Sequence, residues 1–144
     1  MECIVLDTHV LSELMRATPD PAVIAWFDAH PAANYYLTAI TQAEILLGIA
    51  LLPPGKRKNT LAAAADLMFR EDFAGRCLLF DQACADGYAT IVATRRSLGL
   101  PTTTEDAQIA AIALTHRYPL ATRNIRDFIH IDGLSLLDPW APAA

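Results

Sequence analysis

Four side chains with oxygen donors stand where an α/β chain places its chemistry: Asp7, Glu44, Asp106 and Asn124. Asp7 closes the apolar run Ile4-Val5-Leu6, so a carboxylate sits at the lip of a buried strand. Glu44 follows a second strand after the short link AIT, in what reads as the first turn of a helix. Asn124 follows the strand PLATR, and Asp106 opens a helix. In an open parallel sheet, ligands bind beyond the carboxyl ends of the strands. Three carboxylates meeting there would repel one another and resist ionisation. A hard divalent cation removes that conflict, since Mg²⁺ takes oxygen ligands at about 2.1 Å and keeps several waters. An ion so held can activate a water and neutralise charge developing on a phosphate. The chemistry in view is metal-assisted phosphodiester hydrolysis, with no serine or cysteine nucleophile.

Each acid also has a structural use. Thr41-x-x-Glu44 and Thr103-x-x-Asp106 match the capping box, in which a threonine and an acid satisfy orphan backbone N–H groups. Acids in a first helical turn complement the helix dipole in any case. Asp7 can cap a helix starting at His9 or Val10. Taken singly, each acid is open to either use.

The elements that must position these groups alternate along the chain. Strands are expected at 3–6, 35–38, 76–80 and 119–123, with a final edge strand in SLLDPW. Helices are expected after Asp7, from PDPAVIAWF, across TQAEILLGIALL, from Lys56 to about Phe73, from a capping Asp81 to about Leu98, and over EDAQIAAIALTHR. The Lys56 and Asp81 helices read as an inserted hairpin. The alternation predicts an α/β fold with a parallel sheet covered on both faces, in a single domain over residues 1–144.

The chain is 53% hydrophobic, which excludes disorder as its main state. No apolar run reaches the roughly 18 residues of a membrane span, and MECIVLD reads as a strand rather than a secretion signal. The three cysteines, Cys3, Cys77 and Cys84, lie in or beside apolar segments without metal-site spacing, as free thiols do in a reducing cytoplasm. A net charge of −5 argues against a broad basic face for gripping nucleic acid, but an acidic cation site contributes to the same sign.

The blocks LDTHVLSELMR, LTAITQAEILLGIALLP, FAGRCLLFD, EDAQIAAIALTH and LATRNIRDF, in this order and with the closing DPW, resemble the PIN-domain family. Within it they are most similar to the VapC toxin ribonucleases of the FitB-like plasmid-stability branch. The resemblance implies a three-layer sandwich around a parallel sheet of four to five short strands. It also implies an Mg²⁺-dependent (or Mn²⁺-dependent) endoribonuclease, the toxin of a type II toxin–antitoxin pair. Carried over by position, the family's acidic quartet is Asp7, Glu44, Asp106 and Asn124. Asp7 and Asp106 would be the principal metal ligands, and Glu44 would bind a second ion or orient the attacking water. Partners implied are an RNA substrate, a cognate antitoxin, a second copy in a homodimer, and operator DNA through a hetero-oligomer with the antitoxin.

Two positions depart from the family pattern. Asn124 stands where aspartate is frequent, with Asp127 as a substitute whose alternative use is an arginine salt bridge. His9 stands where asparagine is usual; it can partner backbone at the helix start, replace a hydrogen bond within the site, or donate to substrate phosphate when protonated. Thr8 and Ser12 can hydrogen-bond near the ligands, and Arg123 and Arg126 can meet phosphate. Lys56-Arg57-Lys58 and Arg95-Arg96 read as solvated helix faces. Two rivals stay open: a PIN-fold binding module that has lost catalysis, and a phosphatase or phosphoacceptor domain using Asp7 as nucleophile. The second wants an aspartate two residues beyond Asp7, where His9 stands.

Overall fold

The computed structural model describes residues 2–141. The outermost positions of the expected 1–144 unit, residues 1 and 142–144, lie outside it. Five strands, β1 (Cys3–Leu6), β2 (Asn34–Thr38), β3 (Cys77–Leu78), β4 (Leu120–Ala121) and β5 (Leu136–Leu137), form one sheet in the order β3-β2-β1-β4-β5. All neighbouring pairs are parallel. The helices are α1 (Thr8–Leu14), α2 (Pro21–Asp28), α3 (Ala39–Ala50), α4 (Lys56–Leu67), α5 (Ala85–Ser97) and α6 (Thr104–His116).

β1 is central because its side chains serve both faces. Ile4, Val5 and Leu6 are all fully buried, the unbroken apolar run that marks a parallel strand covered on both sides. Successive strand residues point to opposite faces. Val5 and Leu120 therefore pack with Ile91, Ile109, Ile112 and Phe128 under α5 and α6. Ile4, Leu6 and Ala121 pack with Val10, Leu11, Ile45, Ala65 and Met68 under α1, α3 and α4. The result is the expected α/β three-layer sandwich with helices on both faces. Truncating a buried Leu6 or Ile112 to alanine would cost about 2–5 kcal/mol.

The chain winds from β1 outward through β2 to β3, then returns to the other side of β1 as β4 and β5. The winding sense reverses between β1 and β4, so the crevice beyond their carboxyl ends is the switch point of the sheet. Asp7 leaves β1 there, and Thr122 leaves β4 beside it.

Several elements differ from expectation. The strands expected at 76–80 and 119–123 shrink to Cys77–Leu78 and Leu120–Ala121. The helix from Lys56 ends at Leu67 and widens into a π-type turn over Met68–Asp72. Asp81 caps a short 3-10 turn, Gln82–Cys84, rather than α5 itself. α4 packs on α3, and α5 packs on α6 across the sheet, so the two do not form an inserted hairpin. Lys56, Arg57 and Arg96 are exposed as expected, but Arg95 is only 2% exposed. The three cysteines are free, with Cys84 buried and Cys3 and Cys77 half-buried. Among the described residues no helix is long and apolar enough to cross a membrane.

Candidate active site

Asp7 caps α1 and belongs to the crevice at the same time. Its Oδ1 accepts from the Thr8 N–H at 2.8 Å, and its Oδ2 accepts from Thr122 Oγ1 at 2.8 Å. Asp7 is 3% exposed. Desolvation pushes its carboxyl above the ordinary range, against the pull of the Thr122 and Thr8 hydrogen bonds and of His9, while Asp127 pushes it further up. Two carboxylate oxygens offer about four lone-pair sites. The protein occupies two of them with donors that hold the group without neutralising it.

Glu44 is not a cap. The N-cap of α3 is Thr38, whose hydroxyl accepts from the Thr41 N–H at 3.1 Å. Glu44 therefore lies in the second turn, not the first, and the capping-box use at Thr41 does not occur. Instead Glu44 Oε1 accepts from Thr8 Oγ1 at 2.8 Å, and Thr8 Oγ1 lies 3.0 Å from Thr41 Oγ1. Thr8 thus links α1 to α3 across the crevice. Asp7 and Glu44 are joined through adjacent residues of one turn.

Asp106 does share a cap. Thr103 Oγ1 accepts from the Asp106 N–H at 3.1 Å, which places Asp106 in the first turn of α6. Its carboxyl is pushed up to about 6, first by burial, then by Asp7, with Asp127 and Glu44 adding, while a Thr103 hydrogen bond opposes. Three acids from three other segments therefore act on one carboxyl. The arginine salt bridge expected for Asp127 is not formed. Among the described residues the ion pairs are Arg16–Glu13 and Arg70–Asp66, and neither touches the crevice.

Asn124 and His9 turn to each other. Asn124 Nδ2 lies 3.2 Å from His9 Nδ1, and the Asn124 N–H donates to Thr122 Oγ1 at 3.1 Å. His9 thus partners a side chain rather than backbone. Arg123 is exposed, and its guanidinium lies 5.0 Å from the centre of the Trp140 ring, a cation–π contact rather than a free cation. Arg126 is exposed. Ser12 is exposed one helical turn beyond Thr8, with no hydrogen bond to the acids among the described residues. Thr122 and Thr41 are the site residues that the sequence reading missed, and both are fully buried. A threonine directly after an apolar strand was the only local signal for Thr122.

Among the described residues no three Asp, Glu, His or Cys side chains converge closely enough to enclose an ion by themselves. The donor set nevertheless fits Mg²⁺ or Mn²⁺. It is all oxygen, no lysine or arginine pairs with it among the described residues, and such ions are commonly held by one or two carboxylates with water completing the octahedron. A closed zinc site would need several thiolate or imidazole ligands, and His9, turned to Asn124, is the one imidazole described at the crevice.

Fold and site together define an α/β protein with an acidic crevice at the switch point of its sheet. Residues 4–134 match the PIN domain family, and the chain belongs to that family. It is 41% identical over 140 residues to a VapC ribonuclease of Sinorhizobium fredii, covering 97% of this chain and 99% of that protein. It is 40% identical over 137 residues to Toxin FitB of Neisseria gonorrhoeae, covering 95% of this chain and 98% of that protein. The structure of FitAB bound to a DNA fragment superposes with a TM-score of 0.87 at 38% identity, covering 98% of each chain.

Proposed function

We propose that this chain is a metal-dependent endoribonuclease and the toxin of a type II toxin–antitoxin pair. The observation that carries this reading is the convergence of Asp7, Glu44, Asp106 and Asp127 on one crevice, where burial and then Asp7, Asp127 and Glu44 push the Asp106 carboxyl up to about 6. A chain that keeps such a cluster at its switch point gains from a divalent cation there. Similarity to a VapC ribonuclease and to Toxin FitB supports RNA as substrate and a toxin role. The FitAB complex on DNA supports an antitoxin partner and an assembly with it on operator DNA.

In this reading Asp7 and Asp106 hold the ion, Mg²⁺ or Mn²⁺, with Glu44 at its flank. When bound, the ion supplies charge neutralisation at the scissile phosphate and acidifies a water. Thr122 and Thr8 favour the ionised form of Asp7 and fix its orientation, leaving lone pairs on both oxygens for an ion. Glu44, fixed by Thr8 Oγ1, orients the attacking water and accepts its proton. Asn124 adds a dipole but no charge, and His9 sets its rotamer.

The experiment is cleavage of a structured RNA by purified protein in Mg²⁺, Mn²⁺ or EDTA, beside Asp7→Ala and Asp106→Ala. Metal-dependent cleavage lost in both variants is the expected result. Equal cleavage by wild type and Asp7→Ala would refute the reading. One observation favours a second reading, a weakened nuclease that acts mainly as a binding module: the amide at 124 is engaged by His9. Full growth arrest on expression without antitoxin, abolished by Asp7→Ala, would exclude it.

A further inference from the structure

Arg95 is the largest of the fully buried side chains among the described residues. Among the described residues its guanidinium pairs with no carboxylate. Nε donates to Thr102 Oγ1 at 2.9 Å, Nη2 donates to the Pro101 carbonyl at 3.1 Å, and Nη1 donates to the Ile129 carbonyl. Taking a cation out of water without a counter-charge is costly, and an apolar side chain of similar volume would fill the space at less cost. What the guanidinium adds is a rigid planar fork whose donors point in set directions.

Here the fork spans two loops. One acceptor pair lies on the segment that launches α6, with Thr102 directly before the Thr103 cap and Asp106 in the first turn. The other acceptor, Ile129, ends the segment that leaves β4 through Asn124 and the 3-10 turn Ile125–Asp127. These two loops lie on opposite sides of β4 in the chain, and Arg95 bonds to both. Arg95 also accepts at its own carbonyl from the Leu100 N–H at 2.9 Å, which closes the first loop back onto α5.

We propose that Arg95 is a positioning residue that sets the spacing of Asp106 against Asn124 and Asp127, and through it the affinity of the crevice for a divalent cation. The proposal deepens the nuclease reading and rests on it for the role of the cation. Arg95 touches neither substrate nor ion. Its donors reach Thr102, Pro101 and Ile129, so the effect runs through hydrogen bonds to the two loops.

The test compares wild type with Arg95→Lys, which keeps the charge but cannot span both loops. Amide hydrogen exchange in the metal-free protein should accelerate about tenfold at Asp106, Asn124 and Asp127 while Val5 and Ile112 change less than about twofold. Calorimetric titration with Mn²⁺ should show affinity falling about fivefold or more. In RNA cleavage kcat should fall about tenfold, with KM within about twofold, because no substrate contact is lost. Unchanged exchange at both loops, exchange accelerated throughout the core, or loosened loops with wild-type Mn²⁺ affinity would each overturn the proposal. If Arg95→Lys does not fold, Thr102→Val removes the Nε anchor alone. It should loosen Asp106 and weaken Mn²⁺ binding over an unchanged core, and wild-type exchange at Asp106 would overturn the proposal. A wild type that binds Mn²⁺ without cutting RNA fails the nuclease reading, while exchange and Mn²⁺ affinity still decide the role of Arg95.

Discussion

Thr122 Oγ1 donates to Asp7 Oδ2 at 2.8 Å, joining residues 115 positions apart at the ends of two adjacent parallel strands. The same hydroxyl accepts from the Asn124 N–H. One buried threonine therefore anchors the acid at the end of β1 and the turn that carries Asn124. Hydrogen bonds to a charged acceptor are worth about 1.5–3 kcal/mol, and their loss in the interior leaves the acceptor exposed to the full desolvation penalty.

Thr122→Val keeps the shape and removes the donor. Unfolding free energy at neutral pH should fall by about 1.5–3 kcal/mol, read by urea denaturation. The Asp7 carboxyl, already above its ordinary range, should rise further, so the loss shrinks in acid where Asp7 is protonated. An equal loss at every pH would mean that Thr122 acts by packing alone.

The pH dependence of the metal-free protein follows from Asp106. Its carboxyl titrates near 6 in the fold, against 3.8 as a model group, so between those values the native state holds more protons than the unfolded chain. Its stabilising contribution is present in acid and is lost as pH rises through about 6. Glu13 runs the other way, its carboxyl lowered by the Asp20 N–H and by Arg16, so stability falls again once acid protonates it. Melting temperature should therefore peak at about pH 4, fall between there and about pH 6, and level off toward neutrality. Because Asp106 is half-exposed, the drop is about 1 kcal/mol, or roughly 3 °C for a chain of this size. Millimolar Mg²⁺ should flatten that slope, and a scanning-fluorimetry series with and without Mg²⁺ checks both points.

His9 and Asn124 should couple. Asn124→Asp adds a fifth carboxylate beside Asp7, Glu44, Asp106 and Asp127 and should strengthen Mn²⁺ binding while destabilising the metal-free fold. His9→Asn alone should cost little stability, since His9 is exposed. Cleavage rates and Mn²⁺ affinities of the two single variants and the double variant form the cycle. A coupling of about 0.5 kcal/mol or more is expected from the side-chain contact, and strict additivity would show that the contact has no energetic weight.

Asp127 adds to the repulsion at both Asp7 and Asp106. Asp127→Asn should raise the melting temperature of the metal-free protein at neutral pH and weaken Mn²⁺ binding several-fold. Calorimetry on the same samples supplies both numbers. A stability loss on this substitution would instead point to a structural hydrogen bond at that carboxylate.

The layers of this fold were legible along the chain. Ile4-Val5-Leu6 reads as a doubly covered strand, and EDAQIAAIALTHR reads as a helix, because side-chain periodicity is a local property. The strand ends were less so. β3 and β4 each keep only two ladder residues, since pairing length depends on what the neighbouring strand offers. The position of Asp7 was readable for the same local reason as its strand. The use of Glu44 was not, because the choice between Thr38 and Thr41 as helix cap moves Glu44 by nearly a turn.

Composition and pattern along the chain suffice for an α/β sandwich, for acids at strand and helix ends, and for a likeness to PIN-domain ribonucleases. They are carried by near neighbours in sequence, where backbone geometry alone dictates who meets whom. Only the folded chain decides that Thr122 grips Asp7, that Asp127 joins the acids instead of pairing with an arginine, and that Arg95 is buried between two loops. Those contacts join segments far apart in sequence, and their partners are selected by strand register and by the packing of two helical layers, neither of which any single segment encodes.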